Sequence, residues 1–202
     1  DELADSHYTC TRCGRSHEIP IGTIRNEIGI ARALPDIAAG ILGQKPRKTA
    51  LLYDMAIEDL VREELIDKLP QGGLVPRALG RKGGLLEPED TLGDEVVQSL
   101  ESDVDIVIAA GSGVIADIGK WVATKADLPL IIFGTAPSMN AYTSITATMT
   151  ARGIKTSVWL TPAAAVLMDP EVMAKAPKDM ILAGMGDLSA RAVCNADWKL
   201  SE

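Results

Sequence analysis

Between Asp103 and Phe133 the sequence passes through four local patterns in an order that few folds accept. Asp-Val-Asp-Ile-Val-Ile-Ala-Ala (103–110) is a short, nearly continuous apolar run, the mark of a strand buried on both faces. Gly111-Ser112-Gly113 follows as a tight turn. Val114 to Ala126 has the length and spacing of a helix, and Leu128 to Phe133 is a second apolar run. Strand, glycine turn, helix and strand make a βαβ unit, whose strands lie parallel and whose crossover is right-handed. The unit commits the chain to the α/β class, a Rossmann-like parallel sheet with helices on both faces.

The alternation extends on either side. Ile19 to Ile28 reads as an irregular strand, Gly29 to Leu42 as a helix, and Lys48 to Tyr53 as a buried strand stopped by Asp54. Met55 to Leu69 reads as an amphipathic helix and Leu74 to Leu79 as a weaker strand. Glu87-Pro88-Glu89-Asp90 opens a helix with Pro in its first turn and acids at the positive end of the dipole. Beyond Gly134 the pattern changes: Tyr142 to Trp159 reads as a hairpin turning near Arg152-Gly153, and Ala165 to Met168 as a last strand ending at Asp169-Pro170. From Asp179 the chain is helical. The expected organisation is an N-terminal extension (1–18), a nucleotide-binding α/β domain (19–176) and the beginning of an all-helical domain (177–202).

Composition narrows the partners. A single Phe and an aromatic share of 3% leave an aliphatic, alanine-rich core, which suits helices on a parallel sheet better than a β-sandwich. A net charge of −8 disfavours nucleic acid, which needs a basic face. No apolar run approaches the roughly 20 residues of a membrane span, and the acidic start, Asp1 to Asp5, lacks the layout of a signal peptide. Three cysteines, two of them close together, are no disulfide framework and fit a reducing cytoplasm.

Several residues are placed to carry chemistry. Gly111 and Gly113 let the backbone approach a pyrophosphate at a helix N-terminus; the alternative is a plain tight turn. Asp54, at a strand end, suits a ribose diol and would then favour NAD over NADP, or it caps the following helix. Asp117 and Lys120 are neighbours on one helix face, by default a surface ion pair. Thr135 to Asn140 is a polar loop at a strand end, suited to a cofactor or substrate, or an ordinary connection. Asp187 lies in a helical stretch of small and apolar residues. A buried, unpaired carboxylate there would gain from a divalent cation, and the flanking Gly184 and Gly186 suggest close approach by another segment; otherwise the carboxylate faces solvent. His7, Cys10, Cys13 and His17 have zinc-ligand chemistry at tight spacing, the alternative being a disordered or edge-strand terminus.

Taken together, three segments in order resemble the iron-containing alcohol dehydrogenase superfamily, and within it the sn-glycerol-1-phosphate dehydrogenase branch. Gly-Ser-Gly-Val-Ile-Ala-Asp-Ile-Gly-Lys (111–120) looks like the family's glycine motif. Thr-Ala-Pro-Ser-Met-Asn-Ala-Tyr-Thr-Ser (135–144) is similar to its cofactor and substrate loop, and Ala-Gly-Met-Gly-Asp-Leu-Ser-Ala (183–190) to the segment bearing its first metal ligand. The resemblance implies a dehydroquinate synthase-like architecture with the active site between an NAD(P)-binding domain and a helical one. It implies that Gly111, Ser112, Gly113, Asp117, Thr135, Ser138 and Thr143 lie along NAD or NADP, and that Lys120 and Asn140 belong to the catalytic set. Asp187 would be a ligand of zinc or iron, a Lewis acid toward the oxygen of a phosphorylated polyol or alcohol substrate.

Two departures accompany the resemblance. Family members supply two histidine metal ligands from a helical domain, whereas the only histidines here are His7 and His17. The chain as given is therefore expected to be an incomplete, inactive form, with uncovered apolar surface that favours self-association. Asn140 stands where the family usually has an Asp that contacts substrate, keeping hydrogen bonding but losing the charge. The competing readings are a 3-dehydroquinate synthase-like lyase, which the Asp-Trp-Lys ending and the Pro-Ser-Met-Asn loop oppose, and a non-catalytic nucleotide-binding module.

Overall fold

A computed structural model describes residues 4, 6–70, 72–81 and 83–201; most of the acidic start, residues 1–3 and 5, lies outside them. The chain opens with a hairpin of β1 (Ser6–Thr9) and β2 (Ser16–Ile19). It continues through β3 (Thr23–Asn26), α1 (Leu34–Leu42), β4 (Lys48–Asp54), α2 (Glu58–Glu64), β5 (Leu74–Leu79) and α3 (Asp90–Gln98). Then come β6 (Val104–Gly111), α4 (Gly113–Ala126), β7 (Leu130–Gly134), the hairpin β8 (Thr146–Ala151) and β9 (Ile154–Trp159), β10 (Ala165–Met168), α5 (Pro170–Ala174) and α6 (Lys178–Leu200).

Six strands form one parallel sheet in the order β3-β10-β7-β6-β4-β5. Period-2 alternation divides its side chains between two apolar layers. Leu51, Tyr53, Ile106, Ile108, Ile131 and Phe133 pack under α1 and α2. Leu52, Val107, Ala109, Leu130 and Ile132 pack under α3 and α4. Both faces are covered, as the continuous apolar runs require. No helix is long and apolar enough to cross a membrane among the described residues.

Four boundaries differ from expectation, each for a tertiary reason. The helix expected over 55–69 is broken. A 3-10 turn (Met55–Ile57) precedes α2, and Leu65 leaves helical geometry before a second one (Ile66–Lys68). The break turns Leu65, Ile66 and Leu69 inward, and all three are buried. The strand expected over 19–28 is two strands, separated at Pro20 and Gly22. Helix α3 starts at Asp90, because Glu89 is still extended and bridges to β8, the Pro88 carbonyl accepting the Thr150 N–H at 2.8 Å. The N-terminal extension ends one residue later than expected: residues 6–19 form a two-stranded hairpin of their own, apart from the six-stranded sheet.

Candidate functional site

The connection after β4 runs to β5 on one side, and that after β6 runs to β7 on the other. The sheet order therefore reverses between β4 and β6, and in an open α/β sheet this opens a crevice beyond the strand C-termini. Asp54 ends β4, and Gly111-Ser112-Gly113 links β6 to α4, so two sequence candidates meet at that crevice.

The turn at Gly111 is built for close approach. A methyl group there would sit 2.6 Å from Ile115 Cβ, so only glycine lets α4 begin this tightly on the strand. Ser112 is extended and no side chain caps the helix, which leaves the first-turn N–H groups of α4 available to an anion. Gly119 completes the unit: a Cβ there would meet Ala109 Cβ at 2.5 Å, so α4 lies directly on the sheet. Sequence reading passed over Gly119, although it falls six residues after Gly113 on the same helix.

The loop after β7 closes over this turn. The Thr135 N–H donates to the Gly111 carbonyl at 3.0 Å, and Met139 Sδ lies 3.3 Å from where a Gly113 side chain would begin. Tyr142 was not anticipated. It is buried, its hydroxyl donates to the Ala136 carbonyl at 2.7 Å, and burial pushes its pKa up to about 12. Ser138 is half-buried in the loop, while Asn140 and Thr143 are exposed.

Asp117 and Lys120 are not the surface pair that their spacing suggests. Lys120 is fully buried, and its ammonium donates to the carbonyls of Ala141 (3.0 Å) and Thr146 (3.2 Å). Asp117 lies 3.7 Å from it and accepts the Thr148 N–H at 3.0 Å. Burial pushes the Lys120 pKa down and the Asp117 pKa up, because desolvation disfavours both charges. The pair braces the loop and β8 from behind. Asp54 adopts its capping alternative, with Oδ1 accepting the Ala56 N–H at 2.8 Å.

Asp187 is neither deeply buried nor unpaired, contrary to the premise that it needs a cation. Its side chain is 33% exposed, its Oδ2 accepts the Asn140 N–H at 2.9 Å, and Arg191 lies 3.7 Å away. Arg191, also missed, donates to Asn140 Oδ1 at 2.7 Å. Gly184 does mark close approach: a methyl group there would collide with the Pro137 carbonyl, whereas Gly186 faces open space. Asn140, Asp187 and Arg191 thus join α6 to the loop. The N-terminal candidates divide: Cys10, Cys13 and His17 converge, while His7 lies 3.7 Å from Glu18. A cavity of about 370 Å³ lined by Leu34, Thr49 and Leu74 opens at the strand N-termini, the end of the sheet away from these groups.

The family model for iron-containing alcohol dehydrogenases matches residues 30–177, which include the whole crevice. The chain belongs to this family. Among curated relatives, the glycerol-1-phosphate dehydrogenase [NAD(P)+] of Geobacillus thermodenitrificans is 38% identical over 195 residues, covering 94% of this chain and 48% of the relative. That of Bacillus licheniformis is 30% identical over 192 residues, covering 94% and 47%. The chain spans about half the length of the curated relatives it matches. Among solved structures, sulfoacetaldehyde reductase from Bifidobacterium kashiwanohense in complex with NAD+ aligns with a TM-score of 0.72 at 19% identity, over 85% of this chain and 50% of that one. A probable glycerol dehydrogenase from Sinorhizobium meliloti aligns with a TM-score of 0.68 at 23% identity, over 83% and 44%. At such identities the two structures speak for the fold alone.

Proposed function

We propose that this chain is the dinucleotide-binding portion of an NAD(P)-linked dehydrogenase acting on a glycerol phosphate, polyol or alcohol. The observation that carries the reading is the uncapped N-terminus of α4, set on a glycine turn at the point where the sheet order reverses. The names of the curated relatives support the substrate class and the nicotinamide cofactor. The bound dinucleotide supplies or accepts hydride. The chain's own residues bind and orient it: Gly111, Ser112 and Gly113 at the pyrophosphate, and Asp54, through the oxygen not used in capping, at a ribose. Thr135, Ser138 and Thr143 border it from the loop. Asp117 and Lys120 act as positioning residues behind that loop.

Asp187 is one carboxylate, already engaged by a backbone N–H and near an arginine, and that donor set does not amount to a metal site by itself. The exposure of α6 supports its being the first element of a separate helical unit. Three free cysteines suit a cytoplasmic setting.

Titration of the chain with NADH, followed by the nicotinamide fluorescence, tests the proposal. Saturable binding that is lost in Gly113→Val, whose side chain crowds both Met139 and the helix N–H groups, is the expected result. An unmodified chain that leaves NADH fluorescence unchanged, or a Gly113→Val chain that binds as tightly, overturns it.

A further inference from the structure

The hairpin at the start of the chain plays no part in the proposed dinucleotide site. Its sequence, Cys10-Thr-Arg-Cys13-Gly-Arg-Ser-His17, forms a closed loop: the Cys10 N–H donates to Arg15 O at 2.8 Å and the Gly14 N–H donates to Cys10 O at 2.9 Å. Gly14 sits at φ +68°, a left-handed conformation that glycine adopts without strain. The bend gathers three ligand atoms. Those of Cys10, Cys13 and His17 lie within 4.8 Å of one another, and Cys13 Sγ is 3.2 Å from His17 Nε2. Tetrahedral zinc, with bonds of about 2.3 Å to sulfur and 2.0–2.1 Å to nitrogen, needs ligand separations of roughly 3.5–3.8 Å. Small adjustments of exposed side chains reach that spacing.

The strand register excludes His7 as the fourth ligand. Cross-strand partners share a face of a two-stranded ribbon. His17 stands opposite Tyr8 and stacks on it with ring centroids 5.5 Å apart. His7 stands opposite Glu18 on the other face. Sequence spacing alone grouped all four residues, and the pleat separates them.

The hairpin also needs an added source of stability. Its two strands are four residues each, their side chains are mostly exposed, and half-buried Ile19 packs against the main body. An isolated two-stranded hairpin is marginal in water, and metal binding to thiolates contributes folding free energy directly.

We infer that Cys10, Cys13 and His17 form a binding site for a zinc-class divalent cation, these three being the ligands that converge among the described residues. Two thiolates and an imidazole select a borderline-soft ion over magnesium or calcium, whose ligands are oxygens. The ion clips the N-terminal hairpin shut.

The test is a titration of the full chain, stripped of metal and kept reduced with a phosphine, with cobalt(II). The expected result is a thiolate-to-cobalt charge-transfer band with tetrahedral d–d absorption, saturating at one ion per chain and bleached by zinc. The Cys10→Ser/Cys13→Ser double variant loses the bands, and far-UV circular dichroism checks that its sheet persists. Cys194→Ser, His7→Ala and Asp187→Asn retain them. Native mass spectrometry of the unmodified chain with zinc alone, expected to show one bound ion, keeps the test independent of variant folding. No band and no bound zinc in the unmodified chain overturns the inference. So does a band that survives in the double variant or is abolished in Cys194→Ser.

Discussion

The β6-α4-β7 unit and helix α6 are stabilised in opposite ways. In the first, Ile106 to Ala110 and Leu130 to Phe133 are almost wholly buried, and α4 presents Ile115, Ile118 and Val122 to the sheet. In the second, a helix of 23 residues buries only Gly184. Its Met185, Leu188, Val193 and Trp198 are each more than 60% exposed. Apolar area removed from water holds the unit together. A glycine contact, the Asn140 N–H donating to Asp187 and Arg191 donating to Asn140 hold α6 to the loop. The proposed site lies where the two regimes meet, so its loop is rigid on the sheet side and dependent on polar contacts on the helix side.

This contrast breaks or sharpens under substitution. The largest effect is expected in the unit: Phe133→Ala leaves a cavity in a fully buried layer and costs about 3–5 kcal/mol in urea unfolding. Leu188→Ala on α6 changes stability by less than about 0.5 kcal/mol, and equal losses at the two positions would erase the distinction.

Lys120→Met comes next. It keeps the volume but strips the Ala141 and Thr146 carbonyls and Asp117 of their cation, for a loss of about 1–3 kcal/mol. If unfolding midpoints instead rise, the brace is unnecessary and the pair merely tolerated.

Gly184→Ala separates the regions more sharply. Its methyl group forces α6 off Pro137, while alanine favours the helix by about 1 kcal/mol. Global stability should change little, yet amide exchange at Asn140, whose N–H donates to Asp187, should accelerate.

A small, pH-dependent effect is expected at Glu64 on α2. Its carboxyl is held below the usual range by hydrogen bonds from Lys175 and then Lys68. A carboxyl with a depressed folded pKa stabilises above its ordinary value and loses that contribution as pH falls through the folded one. Glu64→Gln should lower stability by up to about 1 kcal/mol at pH 7. The difference from the unmodified chain should vanish in acid, which thermal melts across pH would read.

Particular residues show how far the sequence reached. Lys48 to Tyr53 and Ala165 to Met168 were readable because strands buried on both faces are apolar throughout, a strictly local signal. The break at Leu65 was not, because a helical period persists in sequence even where the chain must turn to bury Ile66 and Leu69. In the candidate site, Gly111, Gly113 and Thr135 were readable from their position at strand ends. Tyr142 and Arg191 were not, since each reaches a partner distant in sequence, Gly111 for Tyr142 and Asn140 for Arg191.

By itself, then, the sequence determined that the sheet is parallel, covered on both faces and opened by a glycine turn, because hydrophobic period and glycine placement act within a few residues. Only the tertiary structure decided what the charged and sulfur-bearing groups do. Lys120 went into the interior, Asp187 became a hydrogen-bond acceptor beside the loop, and His7 parted from Cys10, Cys13 and His17. The physical reason is common to all three. The state of a polar group depends on what desolvates it and what pairs with it, and those neighbours come from elsewhere in the chain or from the far face of a strand.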